Sequence, residues 1–285
     1  TVDGGVGLTV SAGTGAVSLS GVVGGTTALS ALTVGGSTIT TAGIGGAAAG
    51  VSGVTALTAT TSMTFSGTTY WANGATYDAG AAGNNLNMSA GALTTFTASA
   101  DVITFIGTIQ LSAGTDLVVN TAGAALAVGA VQGTGAQSVT LRSTDITLGG
   151  AIAGLGALNL YTAGGTTIGV GGGAGAYQIS DPEIANISAA TLVRISESAL
   201  QRVLITVQTA SFGAGVGGLE VNSNNGLGSV ALDDGGAGTA LGLGSAGALT
   251  VRAGTNGVTA SSATGANAEL GTAGGGSVVI TSAGA

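Results

Sequence analysis

The residues able to do chemistry in this chain are few, and their types narrow the options at once. There is no His, no Cys and no Lys; the four basic residues are all Arg, set against 12 Asp and Glu. Nucleophilic catalysis of the Ser–His–Asp or Cys–His type has neither base nor thiol to run on. A Schiff-base amine and the phosphate-gripping Lys of a P-loop are missing, and zinc, copper and haem lack their usual ligands. Carboxylates remain. Asp233 and Asp234 sit beside Gly235-Gly236 at a turn, with Glu220 one apolar segment earlier. Hard oxygen ligands of this kind suit Ca2+, so Asp233 and Asp234 are the candidate metal ligands, although neither an EF-hand loop nor a GGxGxD array accompanies them. Arg252 together with Asp233 and Asp234 would give the carboxylate-plus-cation set of a polysaccharide-cleaving enzyme if they met on one face. Two G-x-G-x-x-G strings, Gly213/Gly215/Gly218 and Gly242/Gly244/Gly247, precede the strand-like segments LEVNS and ALTVRAG. Without a helix N-terminus to hold a pyrophosphate they read as turn glycines.

Aromatic side chains supply the second set of candidates. The stretch 65–78, FSGTTYWANGATYD, gathers Phe65, Tyr70, Trp71 and Tyr77. It reads as a loop inserted into the repeating pattern and packed on its flank. In a sharper reading Tyr70, Trp71 and Tyr77 form a contact patch for sugar stacking or for a neighbouring subunit, because large aromatic rings bring area at low entropic cost.

The elements that must position these residues are short strands. From Ser138 to Gly173 the chain reads strand, turn, strand, turn: VTL, ITL, LNL and TTI are apolar–polar–apolar cores separated by GG, GLG, AGG and GGG. Period-two alternation argues for strands with one buried face, and glycine at each corner supplies the positive φ of a sharp bend. Leu8, Leu32 and Leu57 recur at one spacing, and Leu117, Val139 and Leu158 at a slightly shorter one; repeats of about 20 to 30 residues are the period of a solenoid turn. The predicted fold is all-β: a single right-handed parallel β-helix (β-solenoid) over residues 1–285, with the aromatic insertion at 65–78 and a charged, partly helical insertion at 177–210.

Composition agrees. Gly is 57 of 285 residues and Pro is 1, yet the apolar fraction is 45 % and mean hydropathy is +0.60, unlike the polar, charged make-up of disordered chains. A net charge of −8 argues against a nucleic-acid footprint. No uninterrupted apolar run is long enough for a membrane-spanning helix. The chain opens at Thr1 and closes at Ala285 inside the repeating pattern, which reads as a processed product or an ordered piece of a longer polypeptide.

Within 177–210, Ser180-Asp-Pro-Glu183 is a capping box, with Ser as N-cap and Glu at N3, and Pro182 fits the first helical turn. A short helix is expected over about Asp181–Ile187, and a second turn over Glu197–Arg202. The same segment carries a resemblance. Tyr177, Ile179, Ser180, Asp181, Glu183, Ile184, Ile187, Ser188, Ala189, Thr191, Leu192 and Ile195 fall on a motif of very large bacterial exoproteins of the filamentous haemagglutinin type. That resemblance implies a right-handed β-helix exported to the cell surface as an adhesin or fibre. The functional expectation is therefore a structural extracellular protein, a building block of a surface fibre, sheath or layer that self-associates. A carbohydrate-binding adhesin stalk using Tyr70, Trp71 and Tyr77 is the alternative, and a β-helix polysaccharide-active enzyme the second. No cofactor is expected beyond the Ca2+ considered at Asp233 and Asp234.

Overall fold

The computed structural model describes residues 1–81, 83–164, 167–197, 203–236, 239–262 and 270–283. Over these the chain is all-β apart from one short α-helix and a single 3-10 turn, and its strands form four parallel sheets of ten, nine, five and three strands. Among the described residues no helix is long and apolar enough to cross a membrane.

The nine-stranded sheet sets the plan. It runs from Thr69–Ala72 to Val278–Ser282 and takes one strand from each passage of the chain. Isolated parallel bridges Val2–Val23, Val23–Ile44 and Ile44–Tyr70 continue the same stack beyond its first strand. Alternation decides which way each side chain points. Leu117 pairs with Val139, Val139 with Leu158, Leu158 with Val193, Val193 with Leu219 and Leu219 with Leu249. All six are fully buried, so the sequence spacing of Leu117, Val139 and Leu158 is a column of stacked core residues. The spacing at the start is looser: Leu8 pairs with Leu32, but Leu57 pairs with Val34, two residues along on the same face.

The ten-stranded sheet is built of long, bent strands such as Thr55–Phe65 and Ile103–Leu111. Its bends are bulges, where register shifts between Val128 and Ala130, and Gly107 takes φ +123° there. A Cβ on Gly129 would collide with the Gly107 carbonyl oxygen of the neighbouring strand, so bulge stacks on bulge only because both are glycine. One passage of chain is split into Ala75–Asp78 and Asn85–Met88, and each half bridges the same two long strands, Thr55–Phe65 and Ile103–Leu111. This closes a small ring of four strands in the pairing pattern.

The stretch 65–78 is therefore not a loop on the flank. It is the end of one strand followed by Thr69–Ala72 and Ala75–Asp78. Phe65, Tyr70 and Tyr77 are almost fully buried and join Phe96 and Phe105 in an aromatic cluster with ring centroids 4.6–5.3 Å apart. The Tyr70 hydroxyl donates to the Thr41 carbonyl oxygen and accepts from Gly67 N–H, both at 2.9 Å.

The expected insertion at 177–210 resolves into an insertion and a resumption. Strands Ile168–Gly171 and Tyr177–Ile179 pair in parallel across only a short Gly-rich link, and helix Asp181–Asn186 follows. The sheet pattern then resumes at Ala190–Glu197, Leu204–Gln208 and Ala210–Phe212. Glu197 ends a strand, and the rest of the second expected helical turn, 198–202, lies outside the described residues. The inserted strand and helix occupy a discontinuity: the ten-stranded sheet ends at Ile146–Leu148 and the five-stranded sheet begins at Tyr177–Ile179. Side chains span it. Asp145 Oδ1 accepts from Gln178 N–H at 3.0 Å, Glu183 Oε1 accepts from Leu148 N–H at 3.1 Å, and Asn186 Nδ2 donates to the Leu148 carbonyl at 2.7 Å. The second Glu183 oxygen completes the capping box, accepting from Ser180 N–H at 2.8 Å and Oγ–H at 2.7 Å. One carboxylate thus starts the helix and satisfies the edge of the sheet below it.

Candidate functional site

The carboxylate pair singled out by the sequence is divided by strand alternation. Asp233 ends strand Ser229–Asp233 half-buried, whereas Asp234, the next residue, is fully buried. Asp233 Oδ1 accepts from Gly235 N–H and its Oδ2 from Gln208 Nε2, both at 3.0 Å. Asp234 Oδ1 accepts from Gly236 N–H at 2.8 Å. Each acid therefore closes its own turn, and the two do not converge on a common point. Among the described residues no group of three or more acidic side chains is placed to hold a metal ion. Glu220 lies in a different sheet, the nine-stranded one. The Tyr70, Trp71 and Tyr77 patch is corrected likewise: Tyr70 and Tyr77 are core residues. Only Trp71 points outward, its Nε1 donating to Ser99 Oγ at 2.9 Å. Burial holds the Tyr77 phenol far above its ordinary range and pushes Tyr70 up to about 12. The G-x-G-x-x-G strings do lead into strands Leu219–Ser223 and Leu249–Ala253, although Gly242 lies inside a strand, Leu241–Leu243, rather than a turn.

The side chains that do come together lie on the outer face of the nine-stranded sheet. Its register lines up two adjacent columns. In one, Thr140, Asn159, Arg194, Glu220 and Thr250 follow one another across successive strands. In the other, Asn120, Arg142, Tyr161, Ser196, Asn222 and Arg252 do so. The residues of the first column are the centres of apolar–x–apolar cores such as Leu158-Asn159-Leu160 and Val193-Arg194-Ile195, whose flanks point into the core; those of the second column follow the same cores two residues on, as in Leu141-Arg142-Ser143.

Hydrogen bonds and ion pairs tie the columns together. Glu220 is the hub: Arg194 Nε reaches its Oε2 at 3.2 Å, Arg252 Nε its Oε1 at 3.2 Å, and Asn222 Nδ2 donates to Oε1 at 3.1 Å. Arg194 Nη1 donates to Asn159 Oδ1 at 3.3 Å, and Asn159 Nδ2 donates in turn to Thr140 Oγ1 at 3.1 Å. Arg142 Nη1 donates to Asn120 Oδ1 at 3.2 Å. The Arg194 and Arg252 side chains stay 40 % and 42 % exposed while Glu220 is only 18 % exposed, so solvent meets guanidinium rather than carboxylate. Arg252 is thus paired with Glu220, not with Asp233 or Asp234 as the enzyme reading requires.

One recess of note lies elsewhere, at the Gly107 and Gly129 bulges of the ten-stranded sheet. It has a volume of about 380 Å3 and is lined by Phe105, Ile106, Val128 and Thr147 among glycines and alanines, with no titratable side chain. It offers apolar contact and the hydroxyls of Thr104, Thr108 and Thr147, with no acid or base beside them to activate one. No family model, curated protein or solved structure matches the chain.

Proposed function

We propose that this chain is a structural, non-enzymatic protein: a right-handed parallel β-solenoid that serves as a building block of a bacterial surface fibre, sheath or layer. The observation that carries the reading is the unbroken column of core residues Leu117, Val139, Leu158, Val193, Leu219 and Leu249, with strand pairing that recurs once per passage of the chain. A repeat stack of this kind draws its stability from neighbour-on-neighbour burial, and its carboxylates serve turns, edges and ion pairs. The likeness of residues 177–195 to the filamentous haemagglutinin type, and the extracellular location it implies, belong to the same proposal.

Self-association is part of it. The same parallel pairing repeats from level to level through the nine-stranded sheet, so one copy can be extended by another through that pairing, and a second copy of the chain is the partner proposed.

Electron microscopy of the purified chain tests both levels. Twelve stacked strand levels at about 4.8 Å each give an elongated particle of roughly 55 Å, and stacking gives end-to-end multiples of it. Round, dispersed particles with no elongation refute the solenoid, and rods that never associate at high concentration refute the assembly. Protease shaving of intact producing cells tests location: release of the chain is expected, and full protection counts against a surface role.

A further inference from the structure

The outer face of the nine-stranded sheet holds three of the chain's four cations, in a molecule of net charge −8. Their placement is regular. Arg142, Arg194 and Arg252 sit on Ser138–Ser143, Ala190–Glu197 and Leu249–Ala253, which are alternate strands of the sheet, with Leu155–Thr162 and Leu219–Ser223 between them. Strands stand about 4.8 Å apart, so an arginine recurs about every 9.6 Å along the stack, with Arg142 and Arg252 in one column and Arg194 two residues across in the other. The strands between offer neutral hydrogen-bonding groups at the surface, Tyr161 on one and Asn222 on the other, while Asn159 is buried and holds Arg194. Glu220 is the one carboxylate in the two columns, which leaves the strip with an excess of two positive charges.

The geometry points to this strip as a binding site for a linear acidic polysaccharide that carries one carboxylate per disaccharide. Such a chain places its charges at close to twice the strand spacing, with hydroxyl and amide groups between them. It matches a ladder of one cation on every second strand with Asn and Tyr in between. The guanidinium fork binds carboxylate by paired N–H donors, and the Tyr161 ring and amides suit the intervening sugar. A nucleic acid fits poorly, because its phosphates are far denser than these cations.

The inference is independent of whether the chain assembles, and binding to the purified chain tests it directly. Hyaluronan decasaccharide is the probe, titrated calorimetrically at low and at physiological salt beside a neutral cello-oligosaccharide, an oligogalacturonate with a carboxylate on every sugar, and single-stranded DNA. Hyaluronan is expected to bind best and to weaken as salt rises. Arg194→Gln and Arg252→Gln should each weaken it by about tenfold. Glu220→Gln removes the competing carboxylate and should tighten it by roughly three- to fivefold, a gain that misfolding cannot produce. No hyaluronan binding at low salt, unchanged binding in Arg194→Gln and Arg252→Gln, weaker binding in Glu220→Gln, or a preference for any of the other three probes would overturn the assignment.

Discussion

Replacing Glu183 by Ala should cost this protein about 3 kcal/mol, a large share of the stability of an ordinary domain. The figure follows from what the carboxylate holds. Leu148 is 1 % exposed and its N–H, donated to Glu183 Oε1, faces the discontinuity between two sheets; stranding a buried donor costs about 1–3 kcal/mol. The Ser180 N–H, donated to Oε2, is the helix-capping contact, worth about 1 kcal/mol. The Ser180 hydroxyl also loses its acceptor, but Ser180 is half-buried and water replaces that bond at little cost. Glu183→Gln should cost about half as much, since its one amide oxygen serves one N–H and turns an NH2 toward the other. Urea titration followed by circular dichroism reads the total, roughly a hundredfold change in the folding equilibrium for the Ala variant. Amide hydrogen exchange reads the site: the Leu148 amide, protected in the parent, should exchange at least tenfold faster in Glu183→Ala. A loss below about 0.5 kcal/mol together with unchanged Leu148 protection would refute the reasoning, because water or backbone would then be doing what is assigned to the carboxylate.

Three further outcomes are expected. Leu158→Ala, a cavity in the middle of the fully buried column, should cost about 2–5 kcal/mol in the same titration, while Val279→Ala on the exposed terminal strand should stay within about 0.5 kcal/mol. Stability should fall as pH rises past about 10, the ordinary tyrosine range. Burial raises the folded-state pKa of Tyr70, Tyr77 and Tyr177, so their contribution is complete below the unfolded value and is lost as the unfolded phenols ionise. A thermal midpoint unchanged between neutral pH and the far side of that range would contradict it. Thr209, a β-branched residue at φ +51°, turns the corner between Leu204–Gln208 and Ala210–Phe212; Thr209→Gly should stabilise by about 1 kcal/mol, and a drop in midpoint would show that its side chain is needed there.

How far these features could be read from sequence depends on whether they lie within one strand or between strands. The Leu117–Val139–Leu158 column was legible because core position and repeat length coincide. Leu57 was placed one position pair off because a period-two pattern is unchanged by a slip of two residues. The composition of 65–78 suggests a loop, although its alternation is that of a strand: Tyr70 and Ala72 are buried and Trp71 is not. The capping box at Ser180–Glu183 is local and was found; its second task, at Leu148, lies 35 residues away and leaves no local mark. The arginine ladder was missed for the same reason. Arg194 is 26 residues from Glu220 and 35 from Asn159, unequal spacings created by the inserted strand and helix. Its sequence signal is partial: Arg194 and Arg252 stand between apolar neighbours, whereas Arg142 is followed by Ser143.

The discontinuity bridged by Glu183, Asp145 and Asn186 has a mechanical meaning. At this level the main chain is paired in the nine-stranded sheet, from Leu155–Thr162 to Ala190–Glu197, and at the Ile152–Ile187 bridge, where Ser188 N–H donates to the Ile152 carbonyl oxygen, while between Ile146–Leu148 and Tyr177–Ile179 side chains make the connection. One flank of the stack is therefore tied by backbone and the opposite flank by three side chains. Bending strain that reaches this level should open the side-chain flank like a hinge, with the backbone-paired sheet as its pin.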